Sequence, residues 1–367
     1  MSHTLVQDPA ISAAGLRLVA HDPATLDVSH TKATAGGSDG DDRDDQVHVR
    51  FLASPINRVD MMLLAGRYPI KPKYTQDGQP IPGFDGCGVV VQCSSPSSNL
   101  KPGDLVIPRG LGLGTWRREA VVPSSALVKL PSGIPPLGGA LLRSGALIAW
   151  LLLEAVRPLE RGDCVIMSAG TSSVAHFLVQ LARRRGIDVV LVVRDRDVAE
   201  LDKTRNRLLG LGAAAVLSET ELASGKSASA PLLSKHPPVL ALDCVYGRVG
   251  QLLLDCLAPK GTFSLVGLLA GPQASINVTT QHLFTKQLAI KPFRGSEILN
   301  SMGEAKADEL IGHVAGLLAQ GSLIIPHLTV VSWERNIETG IEDRLINAVE
   351  KAKKDNIGTG KIVWVFE

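Results

Sequence analysis

Residues 162–196, GDCVIMSAGTSSVAHFLVQLARRRGIDVVLVVRDR, decide the fold class. Cys164 to Met167 is a short apolar run, Ser168 to Ser173 is a cluster of small residues, and Val174, Phe177, Leu178, Leu181 and Ala182 recur at helical spacing. Gly186 stops that helix, and Val189 to Val193 is apolar on both faces, as suits a parallel strand covered by helices on each side. The order strand, tight turn, helix, strand puts small residues at a helix N-terminus, where unpaired amides and the helix dipole favour a phosphate group. Of a G-x-G-x-x-G pattern only Gly170 is present, with Ser173 and Ala175 where two further glycines are expected. Arg194-Asp195-Arg196 ends the second strand, and two guanidinium groups there suit a ribose 2′-phosphate, hence NADP(H) over NAD(H). An ordinary α/β crossover ending in solvated charges reads the same way.

The chain has 367 residues, 45% of them hydrophobic, enough for a sizeable core in two domains. Its 38 basic and 36 acidic residues leave no electrostatic footprint for nucleic acid. The longest apolar run, Ala146 to Leu153, is shorter than a bilayer span and reads as core helix, so no membrane span is expected. Cys87, Cys93, Cys164, Cys244 and Cys256 are scattered in mostly apolar surroundings and read as reduced core thiols. With no C-x-x-C and no H-E-x-x-H, no metal site is expected. The N-terminus lacks the charged-then-apolar order of a signal peptide and has Asp8 early, unlike a mitochondrial transit peptide. It reads as cytoplasmic, with a removed presequence left open.

Residues from about Leu5 to Val122 have strand and turn character, with Gly36 to Asp42 as an exposed polar loop and Val47 to Leu52 as a half-buried strand. Pro82 to Val90, rich in glycine, suits a sharply bent strand in a small barrel. Beyond the βαβ unit, Leu209 to Leu217, Val239 to Val245 and Gly261 to Gly267 continue the strand-helix alternation of a parallel sheet, which binds ligand at its C-terminal edge. Ser224 to Lys235 reads as a Ser-rich loop, Ala305 to Ala319 as a helix, and Gly358 to Val363 as a closing segment.

Four groups of residues carry a resemblance: Ile56-Asn57 with Asp60 and Gly66-x-Tyr68; Lys101-Pro102-Gly103-Asp104 with Val106-Ile107-Pro108; Gly112-Leu113-Gly114-Thr115-Trp116-Arg117; and Val192-Val193-Arg194-Asp195-Arg196. On these the chain resembles the zinc-free, mitochondrial-type trans-2-enoyl-thioester reductases of the medium-chain dehydrogenase/reductase superfamily over nearly its full length. The resemblance implies an α/β protein: a GroES-like β-barrel catalytic domain from residues 1–138 and 295–367, with a doubly wound Rossmann cofactor domain, 139–294, inserted and the substrate in the cleft. It implies an NADPH-dependent oxidoreductase that reduces the C2=C3 bond of an acyl-CoA or acyl-carrier-protein enoyl thioester in fatty acid biosynthesis, works as a homodimer, and is mitochondrial.

By the same resemblance Tyr68 is the acid. The cofactor contacts are Thr171, Ser172, Ser173 and Val174 at the pyrophosphate turn, Arg194, Asp195 and Arg196 at the 2′-phosphate, Val266, Gly267, Leu268 and Leu269, and Phe293 and Lys361. Three departures stand out. The family's Asn-Pro-x-Thr falls on Gly145-Ala146-Leu147-Ile148, the pyrophosphate turn carries Ser and Ala for Gly, and a Phe-Trp pair of the acyl pocket reads Phe293-Arg294. An NADPH quinone or enone reductase sharing Pro82-Gly83-x-Asp85, or a diverged non-redox binding or partner protein, are the alternatives.

Overall fold

The computed structural model describes residues 2–8, 15–21, 45–95, 98–225, 230–334, 340–353 and 360–367. Gly36 to Asp42, and Gly358 and Thr359 of the closing segment, lie outside the described residues. The chain divides into two compact units, residues 1–144 with 311–367, and residues 145–310. Both cuts fall further along the chain than residues 138 and 294.

In chain order the first unit begins with β1 (Ser2–Gln7), β2 (Leu16–His21), β3 (Gln46–Pro55), α1 (Arg58–Leu64), β4 (Thr75–Gln76), β5 (Gln79–Pro80), β6 (Cys87–Cys93), β7 (Leu105–Pro108), β8 (Glu119–Pro123), β9 (Leu127–Lys129) and α2 (Pro136–Leu141). The second holds α3 (Leu147–Glu154), β10 (Cys164–Met167), α4 (Ser173–Arg185), β11 (Asp188–Val193), α5 (Val198–Leu211), β12 (Ala215–Ser218), α6 (Glu219–Ser224), α7 (Ala230–Lys235), β13 (Leu240–Asp243), α8 (Gly247–Asp255), β14 (Thr262–Leu265), β15 (Ala289–Pro292) and α9 (Gly295–Met302). α10 (Glu304–Ala319) leads back to β16 (Leu328–Trp333), α11 (Ile341–Lys353) and β17 (Lys361–Phe366) in the first unit.

A seven-stranded sheet in the order β16-β17-β3-β6-β7-β9, with β8 also on β3, builds the first unit. Ten-residue β3 pairs with β6, β8 and β17, and its register against β6 shifts between His48 and Val49 and between Phe51 and Ala53. Such bulges bend a strand enough to serve several neighbours. Gly88 of β6 faces this bend, where a Cβ would come within 2.4 Å of Val49 Cγ1. The returning tail is fixed by aromatic packing: the Trp364 ring meets Trp116 at 5.8 Å and Trp333 at 6.0 Å, both edge to face. Pairs of this kind contribute about 0.5–1.5 kcal/mol each beyond their burial.

The second unit is a six-stranded parallel sheet ordered β12-β11-β10-β13-β14-β15. Counted from β10 this is 3-2-1-4-5-6, the doubly wound order, with its switch point between β10 and β13. All four residues of β10 are buried, as its unbroken apolar run predicts. Ser172 caps α4 by accepting from Ala175 N, and Gly186 closes it in the left-handed conformation, φ 69°. The sixth strand, β15, is short, contains a proline and has no counterpart in the sequence reading. Part of the expected Ser-rich loop is helical, as α7.

α2 and α3 are joined by a turn of π-helix, Leu142–Ala146, into one helical run, Pro136–Glu154. By length and composition alone this run could cross a bilayer, which corrects the expectation that no segment reaches that length. Of its apolar window 72% is buried in the fold, as in the core helix of a folded domain.

Candidate active site

Tyr68 is presented by the end of α1. Gly66, at φ 67°, donates to Leu63 O at 2.8 Å, and Arg67 N donates to Met62 O at 2.8 Å. These two bonds make a Schellman turn, which requires a left-handed residue at the glycine position. That requirement is the physical content of Gly-x-Tyr. Tyr68 leaves the turn half-buried, its ring 5.5 Å from Phe84 and tilted by 57°.

Behind Phe84 lies a buried polar network. Asp60, three residues into α1, accepts from Asn57 N at 2.7 Å and from Phe84 N at 3.0 Å, and so ties the helix start to the loop under Tyr68. Asn57 Nδ2 donates to Asp85 Oδ2 at 2.7 Å, while its Oδ1 accepts from Lys361 Nζ at 2.5 Å and lies 3.5 Å from Ser144 Oγ. The carbonyl of Asp85 accepts from Ser54 Oγ and from Thr115 Oγ1, each at 2.7 Å. Gly83 makes this close docking possible, since a Cβ there would sit 2.5 Å from both Thr115 Oγ1 and Trp116 Cδ1. The Pro82-Gly83-x-Asp85 and Gly112-to-Arg117 motifs are thus two sides of one packed contact. Burial pushes the Asp60 carboxyl up to about 7 and the Lys361 ammonium down to about 8.

In the second unit the expected cofactor residues gather along one edge of the sheet. Thr171, Ser172, Ser173 and Val174 follow β10, Arg194 to Arg196 follow β11, Val266 to Leu269 follow β14, and Phe293 follows β15. Gly170 lies so close to β11 that a Cβ would be 2.9 Å from Leu191 Cβ and 3.1 Å from Val192 O. The amides of Ser173 and Val174 open α4 with no acceptor among the described residues, the arrangement that receives a phosphate. Arg194 and Arg196 are half-buried beside it, and Arg196 Nη1 donates to Thr204 Oγ1 at 2.9 Å. Asp195, placed with them at the 2′-phosphate, turns to Thr220, accepting from its N at 3.1 Å and its Oγ1 at 2.9 Å. A carboxylate held there is kept off a phosphate between the two arginines. By close backbone approach, free amides and cationic flanks, this edge fits a dinucleotide carrying a 2′-phosphate.

Two residues at the switch point were not visible in the sequence. Ser168 Oγ donates to Asp243 Oδ1 at 2.7 Å and accepts from Cys244 N at 2.8 Å, while Asp243 also accepts from Val245 N and Tyr246 N. This buried pair fixes the loop after β13 against the turn after β10. Ala169 (φ 51°) and Tyr246 (φ 71°), flanking it, hold left-handed conformations that cost a non-glycine residue on the order of 1–3 kcal/mol.

The departures from the family pattern now have physical settings. A Cβ on Gly145 would meet Phe177 Cε2 at 2.9 Å, so the ring fills the space a side chain there would need. Gly145→Asn is expected to destabilise the protein by about 1–3 kcal/mol through overpacking, measured by urea denaturation, and Phe177→Ala in the same chain to relieve the clash. Arg294 does not act as a buried pocket wall; it is exposed and pairs with Glu297 at 2.9 Å across the start of α9. Among the described residues no three of His, Cys, Asp and Glu come together as a metal-ligand set. Burial raises the Cys87, Cys164, Cys244 and Cys256 thiols to about 12, consistent with core packing.

Residues 43–132 match the family model described as alcohol dehydrogenase GroES-like domain, and residues 173–310 the one described as zinc-binding dehydrogenase. The chain is 35% identical over 318 residues to the mitochondrial enoyl-[acyl-carrier-protein] reductase of Rattus norvegicus, covering 83% of each, and 37% identical over 286 residues to that of Mus musculus, covering 78% of this chain and 74% of the mouse protein. A mitochondrial 2-enoyl thioester reductase heterodimer from Candida tropicalis superposes with a TM-score of 0.81 at 22% identity, covering 99% of both chains. The chain belongs to the medium-chain dehydrogenase/reductase superfamily, in its mitochondrial-type 2-enoyl-thioester reductase branch.

Proposed function

We propose that this protein reduces the C2=C3 bond of a trans-2-enoyl thioester carried on coenzyme A or acyl carrier protein, with NADPH as reductant and Tyr68 as proton donor. The observation that carries the reading is the Schellman turn that sets Tyr68 against Phe84, at the head of the Asn57–Asp85–Lys361 network, in a chain sharing 35% identity with a mitochondrial enoyl-[acyl-carrier-protein] reductase. Bound NADPH supplies hydride to C3. The protein's own part is to hold the thioester, to deliver a proton to C2 from the Tyr68 hydroxyl, and to keep Phe84 and Asp85 rigid beneath that ring. Lys361 supports this role from within the first unit, as a positioning group on Asn57. The relatives' names place them in mitochondria; residence there, and assembly as a homodimer, belong to the same proposal.

The test is oxidation of NADPH on adding crotonyl-CoA to the purified protein, followed by nicotinamide absorbance. Oxidation with a quinone but not with crotonyl-CoA would replace this reading by the quinone reductase one. Cofactor choice is tested separately: Arg194→Ala with Arg196→Ala is expected to weaken NADPH binding roughly 10- to 100-fold, as loss of charge-assisted bonds of about 1.5–3 kcal/mol implies, and to leave NADH nearly unchanged. Equal loss for both nucleotides in a fluorescence titration would exclude a role at the 2′-phosphate.

A further inference from the structure

Arg143 stands in the π-helical turn Leu142–Ala146, one residue before the Ser144 whose hydroxyl faces Asn57. Its Nε and Nη1 are shut off from solvent and have no hydrogen-bond partner among the described residues, although the side chain as a whole keeps partial exposure. Withdrawing a guanidinium from water with its donors unused costs several kcal/mol, and such a cost is recovered when an anion takes up the free N–H groups. π-turns of this kind recur at functional sites because they re-aim one side chain within an otherwise regular helix.

The surroundings say where that anion belongs. Burial pushes Arg143 below the ordinary guanidinium range, and Asp85 and Tyr68 are the ionisable groups near enough to oppose the shift. Asp85 is already bonded to Asn57, and the other charged groups of the cluster, Asp60, Lys361 and Arg58, interact with one another. Gly145, two residues on, stands where the family pattern has asparagine, and Phe177 excludes a side chain there. Within this turn Gly145 brings no side chain, while Arg143 carries donors that are unused.

We propose that Arg143 is an oxyanion donor of this enzyme, its free N–H groups binding the thioester oxygen of the substrate as negative charge develops on it. The inference rests on the reductase reading above. When hydride adds to C3, the C2=C3 π pair moves to C1–C2 and the carbonyl pair moves onto oxygen. Arg143 holds that enolate oxygen. As the carbonyl re-forms, C2 takes the Tyr68 proton, and the tyrosinate is reprotonated from solvent. An oxyanion donor of this kind contributes roughly 10²- to 10³-fold in kcat.

The test needs no cofactor. Acetoacetyl-CoA is not a substrate for reduction at C2=C3, but its enolate is a stable mimic of the intermediate and absorbs in the near ultraviolet. Bound to the wild-type protein, it is expected to show about tenfold more enolate at a given pH than it does free in solution. Tyr68→Phe should retain the enolate, Arg143→Met should abolish it, and Arg143→Lys should restore part of it. Arg143→Met should also lower kcat for crotonyl-CoA with the Kd for NADPH unchanged. If the wild-type protein binds acetoacetyl-CoA by calorimetry but leaves it in the keto form, or if Arg143→Met, folded by circular dichroism, keeps the enolate, the assignment to Arg143 is wrong while the reductase reading stands. If acetoacetyl-CoA does not bind at all, the thioester reading fails and this inference fails with it.

Discussion

Tyr68→Phe is expected to lower kcat for crotonyl-CoA reduction by about 10²- to 10⁴-fold, the usual contribution of a positioned general acid. The substitution removes one oxygen and keeps the ring, so the 5.5 Å packing on Phe84 and the Schellman turn before it are retained. The Kd for NADPH and the KM for the thioester should each stay within about threefold, because the lost interaction is made in the transition state. A second variant separates proton donation from packing: Tyr68→Ala also removes the ring and should raise KM as well as lower kcat. Steady-state kinetics with both variants checks this, and an unchanged kcat in Tyr68→Phe would leave the tyrosine as a packing residue only.

What could be read from the sequence was what is local. β10 and β11 announce themselves as unbroken apolar runs, and Gly186 stops α4 because the left-handed conformation there suits glycine. Tyr68 is named by the family resemblance, through a Gly-x-Tyr motif whose turn chemistry at Gly66 is also local. The network behind it was not legible as a network, because Asn57 and Lys361 are 304 residues apart and meet only through the antiparallel pairing of β3 with β17. Asp85 lay within a quoted motif, yet its bond to Asn57 depends on Gly83 packing against Thr115, a tertiary fact. Arg143 was missed for another reason: a single arginine at the start of an apolar helical run reads as a side chain reaching for water. The π-turn that withdraws it has no sequence signature. Asp195 follows β11 beside the two arginines, but its partner Thr220 lies one crossover away, so its orientation was beyond local reading. β15 and α7 were lost through brevity, since four and six residues give no periodicity to measure.

Asp60→Ala is expected to cost the first unit about 2–6 kcal/mol, because it strands two buried amides, Asn57 N and Phe84 N, at about 1–3 kcal/mol each. The pH dependence identifies the group responsible. Burial, with repulsion from Asp85, raises the Asp60 carboxyl from 3.8 to about 7 against the opposing pull of the Asn57 amide, Lys361 and the Phe84 amide. Between these two values the folded protein keeps a proton that the unfolded chain has released, so this residue's contribution to stability is full below pH 4 and is lost as the pH rises through 7. The loss caused by Asp60→Ala should therefore be largest near pH 4 and shrink toward pH 7. Lys361, lowered to about 8, acts in a separate window, adding stability as the pH rises from 8 to 10.5. Urea denaturation followed by tryptophan fluorescence suits the measurement, since Trp116, Trp333 and Trp364 lie in this unit and Trp150 in the other. A difference from wild type that grows between pH 4 and pH 7 would mean that Asp60 is ionised throughout that range and that attraction to Lys361 outweighs its burial.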